Sequence, residues 1–255
     1  MTLASWYGEH GRHDLPWRLT RDRWAILVSE VMLHQTQVPR VAAVYGEFLT
    51  RFPTPNAMAD AGPAAVIGAW GRLGYPRRAR RLYDSAVTVR DHGWPDDLTT
   101  LPGVGRYTAA AILAQADDAD VPAVEVNILR VAERVSGERL SARAAEDATV
   151  RIGRPLRGRD RLLALMDVGA LLCRPRDPGC GDCPMRRRCA TRGALPDETR
   201  HRQAPFAGSF RQRRGEVMAR LRASSAPARD LDAEALASLV DDGLAVVRRG
   251  RAGLP

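Results

Sequence analysis

Residues 101–112 read LPGVGRYTAAAI, and this segment gives the strongest indication of the fold. Its two glycines, Gly103 and Gly105, allow a tight hairpin whose backbone N–H groups point outward. The alanine-rich run after them predicts a helix over 106–116, and N–H groups at a helix N-terminus bind phosphate well. A G-x-G alone can mark only a tight turn, whereas the whole string between two helices predicts a hairpin that holds a DNA backbone without reading its sequence. The predicted DNA contacts of this hairpin are Gly103, Val104, Gly105 and Arg106.

The sequence on both sides of this hairpin predicts further helices. Residues 24–36 (WAILVSEVMLHQT) are apolar on nearly every face, which is typical of a buried helix. Turns rich in glycine and proline separate more helical stretches up to about residue 95. Few segments alternate with the period of two that indicates a strand, so the main body is predicted to be all-α. The later helices are predicted over 126–136, 143–152 and 159–172.

The composition indicates a globular protein with a polyanionic partner. Of 255 residues, 45% are hydrophobic and 27% are charged, which argues against disordered and fibrous proteins. The net charge of +9 favours nucleic acid as the partner, and an inert basic surface is the alternative. All 39 basic residues are arginine, so no lysine can form a Schiff base. We expect no membrane span and no secretory signal, and therefore a cytoplasmic, nucleoid-associated protein.

Four cysteines lie in one short segment with the spacing C-x6-C-x2-C-x5-C. Disulfides are disfavoured in an intracellular protein, whereas four converging thiolates suit a tetrahedral zinc ion or a [4Fe-4S] cluster. Typical zinc sites use two short C-x2-4-C pairs, and this segment has one, so the spacing favours the cluster over zinc. The predicted metal ligands are Cys173, Cys180, Cys183 and Cys189.

Two glutamates occupy positions that suggest chemistry. Glu30 lies midway in the apolar segment 24–36, where burial would raise its pKa and make it a proton donor near neutral pH. Glu125 precedes the predicted helix 126–136, whose N-terminus favours the ionised carboxylate. The alternatives are a buried acid that only bonds the backbone or an arginine, and an ordinary helix cap. A pair with separated pKa values could divide acid and anion roles in glycosidic bond cleavage.

The C-terminal part of the chain differs in composition from the rest. Residues 196–214 are polar and rich in arginine, and we interpret them as a linker. Residues 215–255 contain two short helical patterns followed by a stretch that suits a strand and a turn. This order predicts a small winged-helix-like module, and a poorly ordered basic tail is the alternative.

The motifs occur together and in a fixed order within residues 1–195. The strings SEVMLHQTQV, WGRLGYPRRARRL, LPGVGRYTAAAI, VEVNILRV and MDVGALLC precede the last three cysteines. In this set the chain resembles the helix-hairpin-helix DNA glycosylase superfamily with an iron–sulfur loop, and within it the adenine DNA glycosylases of the MutY type. The endonuclease III branch carries its catalytic lysine where this sequence has Tyr107. The resemblance implies two helical lobes, 21–115 and 1–20 with 116–195, with the DNA groove between them.

The resemblance also implies a reaction centre. In this family the target nucleotide leaves the base stack, because the glycosidic bond cannot be reached inside a duplex. Glu30 matches the acid that protonates the adenine ring, and Tyr107 and Asn127 match residues that line the centre. Glu125 stands where the family has an aspartate that stabilises the oxocarbenium-like sugar and helps to deliver water. Val126 stands where the family has glycine.

Three further residues match the family's contacts to the base stack. Gln35 and Tyr75 match side chains that wedge between bases, and Thr36 matches a contact to the opposite base. His34 replaces a usual glutamine beside the wedge, and Pro76 replaces a second tyrosine.

The function predicted from the sequence is a monofunctional DNA glycosylase of base excision repair that removes adenine opposite 8-oxoguanine. We expect a monomer that binds double-stranded DNA with a mispaired or damaged base and does not bind membranes. Residues 215–255 are too short for the large C-terminal domain with which many family members inspect 8-oxoguanine, so we expect recognition without it. Glu125 and Val126 leave two alternatives: a glycosylase for thymine, uracil or a damaged base, or a lesion-binding protein with weak or no catalysis.

Overall fold

A computed structural model describes residues 1–196, 198 and 205–255. The prediction of an all-α main body is confirmed, and among the described residues the strands are confined to the C-terminal part. No helix in these ranges is long and apolar enough to span a membrane. The helices before that part are α1 (Leu3–His10), α2 (Arg23–Leu33), α3 (Val38–Arg51), α4 (Pro55–Trp70), α5 (Arg77–His92), α6 (Arg106–Asp117), α7 (Val126–Ser136), α8 (Ala142–Gly153) and α9 (Gly158–Asp167).

The chain forms two compact units. One comprises Met1–Glu30 and Val104–Arg200, and the other comprises Val31–Gly103 and His201–Pro255. These units divide the chain at other positions than the lobes expected from the sequence. The reason is packing, because α6 lies against α9 and its small residues join the core of the first unit. Both α2 and the glycine hairpin therefore pass from one unit into the other.

The first unit is built on a core that five helices share. Its buried residues come from α1, α6, α7, α8 and α9, and Trp6, Ile128 and Leu165 are among the largest of them. Where the sequence predicts one helix over 159–172, α9 ends at Asp167 and a π-helical turn continues over Val168–Leu172. This wider turn leads directly into the first cysteine of the cysteine segment.

The second unit has an aromatic core. Phe48 packs edge-on against Phe52 and Trp70, with ring centroids 5.0 and 5.9 Å apart. The predicted Gly62–Pro63 turn is a kink inside α4, where Gly62 adopts a φ of 80°. The predicted helix over 24–36 ends at Leu33 instead, because the following residues form a turn.

Residues 205–255 form the C-terminal module, which belongs to the second unit. It contains α10 (Phe210–Ala223), α11 (Ala233–Asp241) and three short strands, β1 (Ala226–Pro227), β2 (Val246–Arg248) and β3 (Arg251–Gly253). The strands form an antiparallel sheet in the order β1-β3-β2, so the predicted two helices and hairpin are present.

The predicted linker 196–214 is too long at its C-terminal end. Its last residues belong to α10, because Ser209 caps this helix by accepting a hydrogen bond from the backbone N–H of Gln212. Residues 197 and 199–204 of the predicted linker lie outside the described residues.

Candidate active site

Glu30 lies in the second half of α2 and is 4% exposed. Gln115 Nε2 donates a hydrogen bond of 2.8 Å to Glu30 Oε1, and the Tyr107 hydroxyl donates another to the same carboxylate. Burial raises the pKa of Glu30 to about 7, although both hydrogen bonds act to lower it. The negative charge of Glu125 contributes to this rise. Glu30 can therefore hold a proton at neutral pH, as expected of a general acid.

Tyr107 stands on the first turn of α6, directly after the glycine hairpin. Its burial and the negative charges of Glu30 and Glu125 raise its pKa well above 10. The phenol therefore stays neutral and acts as a donor to Glu30. These three residues come from distant parts of the chain, and all of them lie in the first unit.

Glu125 is the N-cap of α7. Its Oε2 accepts hydrogen bonds from the backbone N–H of Asn127 at 2.8 Å and from Asn127 Nδ2 at 2.9 Å, and its Oε1 accepts from Ile128 N at 3.0 Å. Burial nevertheless raises the pKa of Glu125, because it outweighs these hydrogen bonds and the charge of Arg130. The expectation that the helix N-terminus would lower this pKa is therefore wrong in its net direction. Val126, which stands where the family has glycine, is 70% exposed, whereas Glu125 is partly buried.

Arg130 connects this carboxylate group to the cysteine segment. Its guanidinium donates to Asn127 Oδ1 and to the Gly169 carbonyl, both at 2.8 Å, and to the Cys173 carbonyl at 2.6 Å. Gly169 must be glycine here, because a Cβ would come within 2.7 Å of the Asn127 Cβ. The sequence analysis missed both Arg130 and Gly169, although each lies inside one of the quoted motifs, VEVNILRV and MDVGALLC.

The four predicted metal ligands line one cavity. Arg134 Nη1 lies 3.6 Å from Cys173 Sγ, the Arg192 N–H donates to Cys189 Sγ at 3.4 Å, and the Met185 N–H donates to Cys183. Burial, with a contribution from the neighbouring cysteines, raises the pKa of the Cys183 thiol to about 11. A positive metal centre bound here would favour the Cys183 thiolate at neutral pH. The other cavity-lining cysteines are Cys173, Cys180 and Cys189.

Within residues 1–196, 198 and 205–255, no group of three or more His, Cys, Asp or Glu side chains is placed to hold a metal ion. The four half-buried sulfurs surround one cavity, and N–H groups donate to three of them. Cysteine sulfurs of this number are the donors that iron–sulfur clusters use.

In the second unit, the two predicted wedge residues have strained backbones. Gln35 has a φ of 56° and Tyr75 a φ of 48°, both in the left-handed region that side chains rarely adopt. Such strain occurs where the surrounding structure enforces it, often at functional sites. Tyr75 is 42% exposed, so its ring is accessible to a partner.

Arg78, on the first turn of α5, hydrogen-bonds groups next to both of these residues and was missed by the sequence analysis. Its guanidinium donates to Thr36 Oγ1 at 2.9 Å and to the carbonyls of Val31, Met32, His34, Leu73 and Gly74. It also lies 5.5 Å from the centre of the Tyr75 ring. Burial lowers the pKa of Arg78 to about 10, and it stays charged at neutral pH. In the sequence, Arg78 cannot be distinguished from the other arginines of the string WGRLGYPRRARRL.

The predicted DNA-binding hairpin has the expected form. Gly103 has a φ of 81°, and a Cβ there would come within 2.9 Å of the Arg81 Cβ, so only glycine fits. Val104 is buried, and Gly105 is the N-cap of α6. Arg106 is 82% exposed at its side chain and forms an ion pair with Glu146 at 3.1 Å. The hairpin thus presents exposed backbone at a helix N-terminus, which suits phosphate binding.

The chain is similar to known DNA repair proteins. The model of the HhH-GPD superfamily of base excision DNA repair proteins matches residues 28–152. The adenine DNA glycosylase of Mycolicibacterium smegmatis is 42% identical over 238 residues, which cover 88% of this chain and 80% of the relative. The human adenine DNA glycosylase is 34% identical and is matched over 42% of its length and 82% of this chain.

Solved structures with a similar fold include a DNA glycosylase and an endonuclease bound to DNA. A thermostable thymine-DNA glycosylase has a TM-score of 0.67 and 29% identity, and the match covers 74% of this chain and 91% of that one. A non-covalent endonuclease III–DNA complex has a TM-score of 0.64 at 22% identity, with the same coverage, and supports the fold alone. The chain belongs to the adenine DNA glycosylase family within the HhH-GPD superfamily of base excision DNA repair proteins.

Proposed function

We propose that this protein is a monofunctional DNA glycosylase that removes adenine mispaired with 8-oxoguanine. The observation that carries this proposal is the buried Glu30, whose pKa of about 7 lets it hold a proton at neutral pH. Relatives that the chain resembles in sequence are named adenine DNA glycosylases, and we infer from this that the excised base is adenine. Because a stacked base is out of reach, the target nucleotide must leave the duplex before it reacts.

In the proposed reaction, Glu30 and Glu125 have different roles. As the bond between the sugar C1′ and the adenine N9 breaks, its electron pair passes to the base, and Glu30 gives its proton to the adenine ring. The ionised Glu125 stabilises the oxocarbenium-like sugar and accepts a proton from the water that attacks C1′. Its three hydrogen bonds from Asn127 and Ile128 hold the carboxylate in place. Tyr107 and Gln115 orient Glu30.

The product should be an intact abasic site. A lyase of the Schiff-base type needs an amine nucleophile, and the sequence contains no lysine. Water therefore completes the reaction, and pure protein should not nick the strand before alkali or heat is applied.

A [4Fe-4S] cluster is proposed for the cysteine cavity, with Cys173, Cys180, Cys183 and Cys189 as its ligands. When bound, it would crosslink this segment and hold the Cys173 carbonyl against Arg130. Purified protein should be brown and contain iron and sulfide at about four of each per chain. A colourless protein with stoichiometric zinc would contradict the cluster.

Four elements supply the proposed contacts to DNA: Gln35, Thr36 and Tyr75 in the second unit, and the glycine hairpin. Gln35 and Tyr75 would fill the space of the extruded nucleotide, Thr36 would contact the opposite base, and the hairpin from Gly103 would hold a phosphate. We propose that the protein acts on double-stranded DNA as a monomer, in the cytoplasm where the chromosome lies.

The decisive experiment is single-turnover excision on duplexes with one A:8-oxoguanine, A:G, T:G or U:G pair, with Glu30→Gln as the inactive control. Adenine release from A:8-oxoguanine, with an intact abasic site, is the expected result. Release of thymine or uracil instead would assign the protein to another base. Tight binding without any product would make it a lesion-binding protein.

A further inference from the structure

The C-terminal module is anchored on α5. Asp242 is almost fully buried and accepts hydrogen bonds from both Arg77 and Arg214. Beside it, Arg80 donates to the Gly243 carbonyl at 3.0 Å. Gly243 has a φ of 65°, and a Cβ there would come within 2.9 Å of Arg80 Nη1, so this approach requires glycine. The module is therefore attached two residues after Tyr75, one of the proposed wedge residues.

The order of elements in the module is that of a helix-turn-helix with a hairpin, but its second helix is unsuited to DNA. In such folds the N-terminal residues of the second helix contact base edges. Here Asp232 caps α11 and Glu234 lies in its first turn, so two negative charges at this end of the helix would repel phosphate. Arg213 pairs with both of these carboxylates and is thereby occupied.

The positive charge of the module is concentrated in its hairpin. The strands β2 and β3 are joined by a two-residue turn, in which Arg249 and Gly250 have φ values of 50° and 74°. Arg248 and Arg251 lie directly opposite each other on the last rung of the ladder. Like charges in this position destabilise a hairpin, so a bound anion would relieve the repulsion.

These hairpin arginines are available to a ligand. All three are exposed, and none forms an ion pair with a carboxylate of residues 1–196, 198 or 205–255. Arg251 is held by hydrogen bonds from its guanidinium to the carbonyl and hydroxyl of Ser225, at 2.8 and 3.0 Å. Apart from the exposed Asp241, the acidic residues of the module contact Arg213, Arg214, Arg229, Gln212 or, on α5, Arg77.

We propose that Arg248, Arg249 and Arg251 bind the phosphate backbone of duplex DNA that flanks the lesion. This inference rests on the proposed function, since it takes DNA as the substrate. Arg249 is seven residues from Asp242, and so at most about 25 Å from the anchor on α5. That limit corresponds to about seven base pairs, so the hairpin contact would lie on the duplex within this distance of the anchor.

The test compares two variants that lose the same charge from the same module. Arg248→Gln/Arg249→Gln removes two proposed contacts, and Arg220→Gln/Arg229→Gln removes two exposed arginines outside the hairpin. Arg251 is left unchanged because it bonds Ser225. Binding to lesion-containing and undamaged duplexes is measured at several salt concentrations, with arms of about 5 or about 15 base pairs on each side of the central pair.

We expect the hairpin variant to bind long duplexes about 30-fold more weakly at 0.15 M salt, with the slope of log K against log salt reduced by about 1.8. The loss should be smaller on duplexes with short arms, and the single-turnover rate at saturating enzyme should stay as in the wild type. Equal binding by the hairpin and control variants would overturn the proposal. So would a loss that is the same for short and long arms.

The binding readout separates this inference from the proposed function. If the wild type binds duplexes but excises no base, the proposed function fails while the comparison on undamaged DNA still decides the role of the hairpin. If excision succeeds and the hairpin variant binds as the control does, only the hairpin proposal fails.

Discussion

Replacing Glu30 by glutamine tests whether burial of this carboxyl group sets the chemistry of the site. Glutamine has nearly the same shape, and its amide can keep a hydrogen bond to Gln115 or Tyr107, but it cannot supply a proton. Removing a general acid costs about 10²- to 10⁴-fold in rate. We therefore expect Glu30→Gln to lose about that much in single-turnover excision, while its affinity for the same duplex is retained.

The pKa of Glu30 predicts the pH dependence of the wild type. With a pKa of about 7, the protonated fraction of Glu30 falls about 15-fold between pH 7 and pH 8.5, and the excision rate should fall in parallel. The residual rate of Glu30→Gln should lack this dependence. Ser29→Ala is the matched control, because Ser29 is a buried polar neighbour in the same helix and carries no titrating group.

The same pKa predicts an effect on stability that does not depend on activity. The pKa of Glu30 is raised in the folded state, so between about pH 4.5 and pH 7 the unfolded chain has lost the proton that the folded protein keeps. The contribution of Glu30 to stability is therefore present at low pH and is lost as pH rises through 7. A shift from 4.5 to about 7 corresponds to about 3 kcal/mol.

Urea unfolding of wild type and Glu30→Gln from pH 4.5 to pH 8 measures this difference. The free energy of unfolding of the variant, relative to the wild type, should rise by about 3 kcal/mol over this range and then stay constant. A difference that does not change with pH would refute the argument that desolvation raises this pKa. A variant with wild-type excision would refute the role of Glu30 as the acid.

Three further substitutions test other parts of the structure. Glu125→Asp should lower the single-turnover rate about 100-fold, because the shorter side chain displaces the carboxylate by about 1 Å, and a large gain in rate would identify the natural protein as a weak enzyme or a sensor. Asp167→Asn should cost about 3–5 kcal/mol in urea unfolding, because it leaves the buried Arg18 without its counter-charge, and an unchanged midpoint would contradict this. Arg78→Ala should weaken binding to mispaired duplex about tenfold or more in a titration, because it removes hydrogen bonds to the backbone before Tyr75. Wild-type affinity would show that the left-handed conformation of Tyr75 does not depend on these hydrogen bonds.

Much of this protein could be predicted from the sequence because its signals are local. The glycine hairpin, the apolar helix that carries Glu30 and the clustered cysteines are short strings whose spacing determines what they can form. Hydrophobic periodicity located most helices, since an amphipathic or buried helix repeats its pattern along the chain. The two helices and hairpin of the C-terminal module were predictable for the same reason.

What the sequence left undetermined depends on residues that are distant along the chain. The pKa of Glu125 was predicted with the wrong direction, because the helix N-terminus is visible in sequence while the burial that outweighs it is not. Arg78 and Arg130 could not be distinguished from the many other arginines, since their importance lies in the carbonyl groups that they contact.

The amino-acid sequence shows which chemical groups this protein carries: four cysteines in one segment, two glutamates on helix-forming strings, a glycine hairpin and no lysine. The folded chain sets the arrangement of these groups. It placed Gln115 and Tyr107 against Glu30, joined Asn127 to the Cys173 carbonyl through Arg130, and left the hairpin arginines of the C-terminal module unpaired with any described carboxylate. The physical reason is that desolvation and hydrogen-bond geometry are set by which distant segments pack together, and local sequence patterns do not encode these contacts.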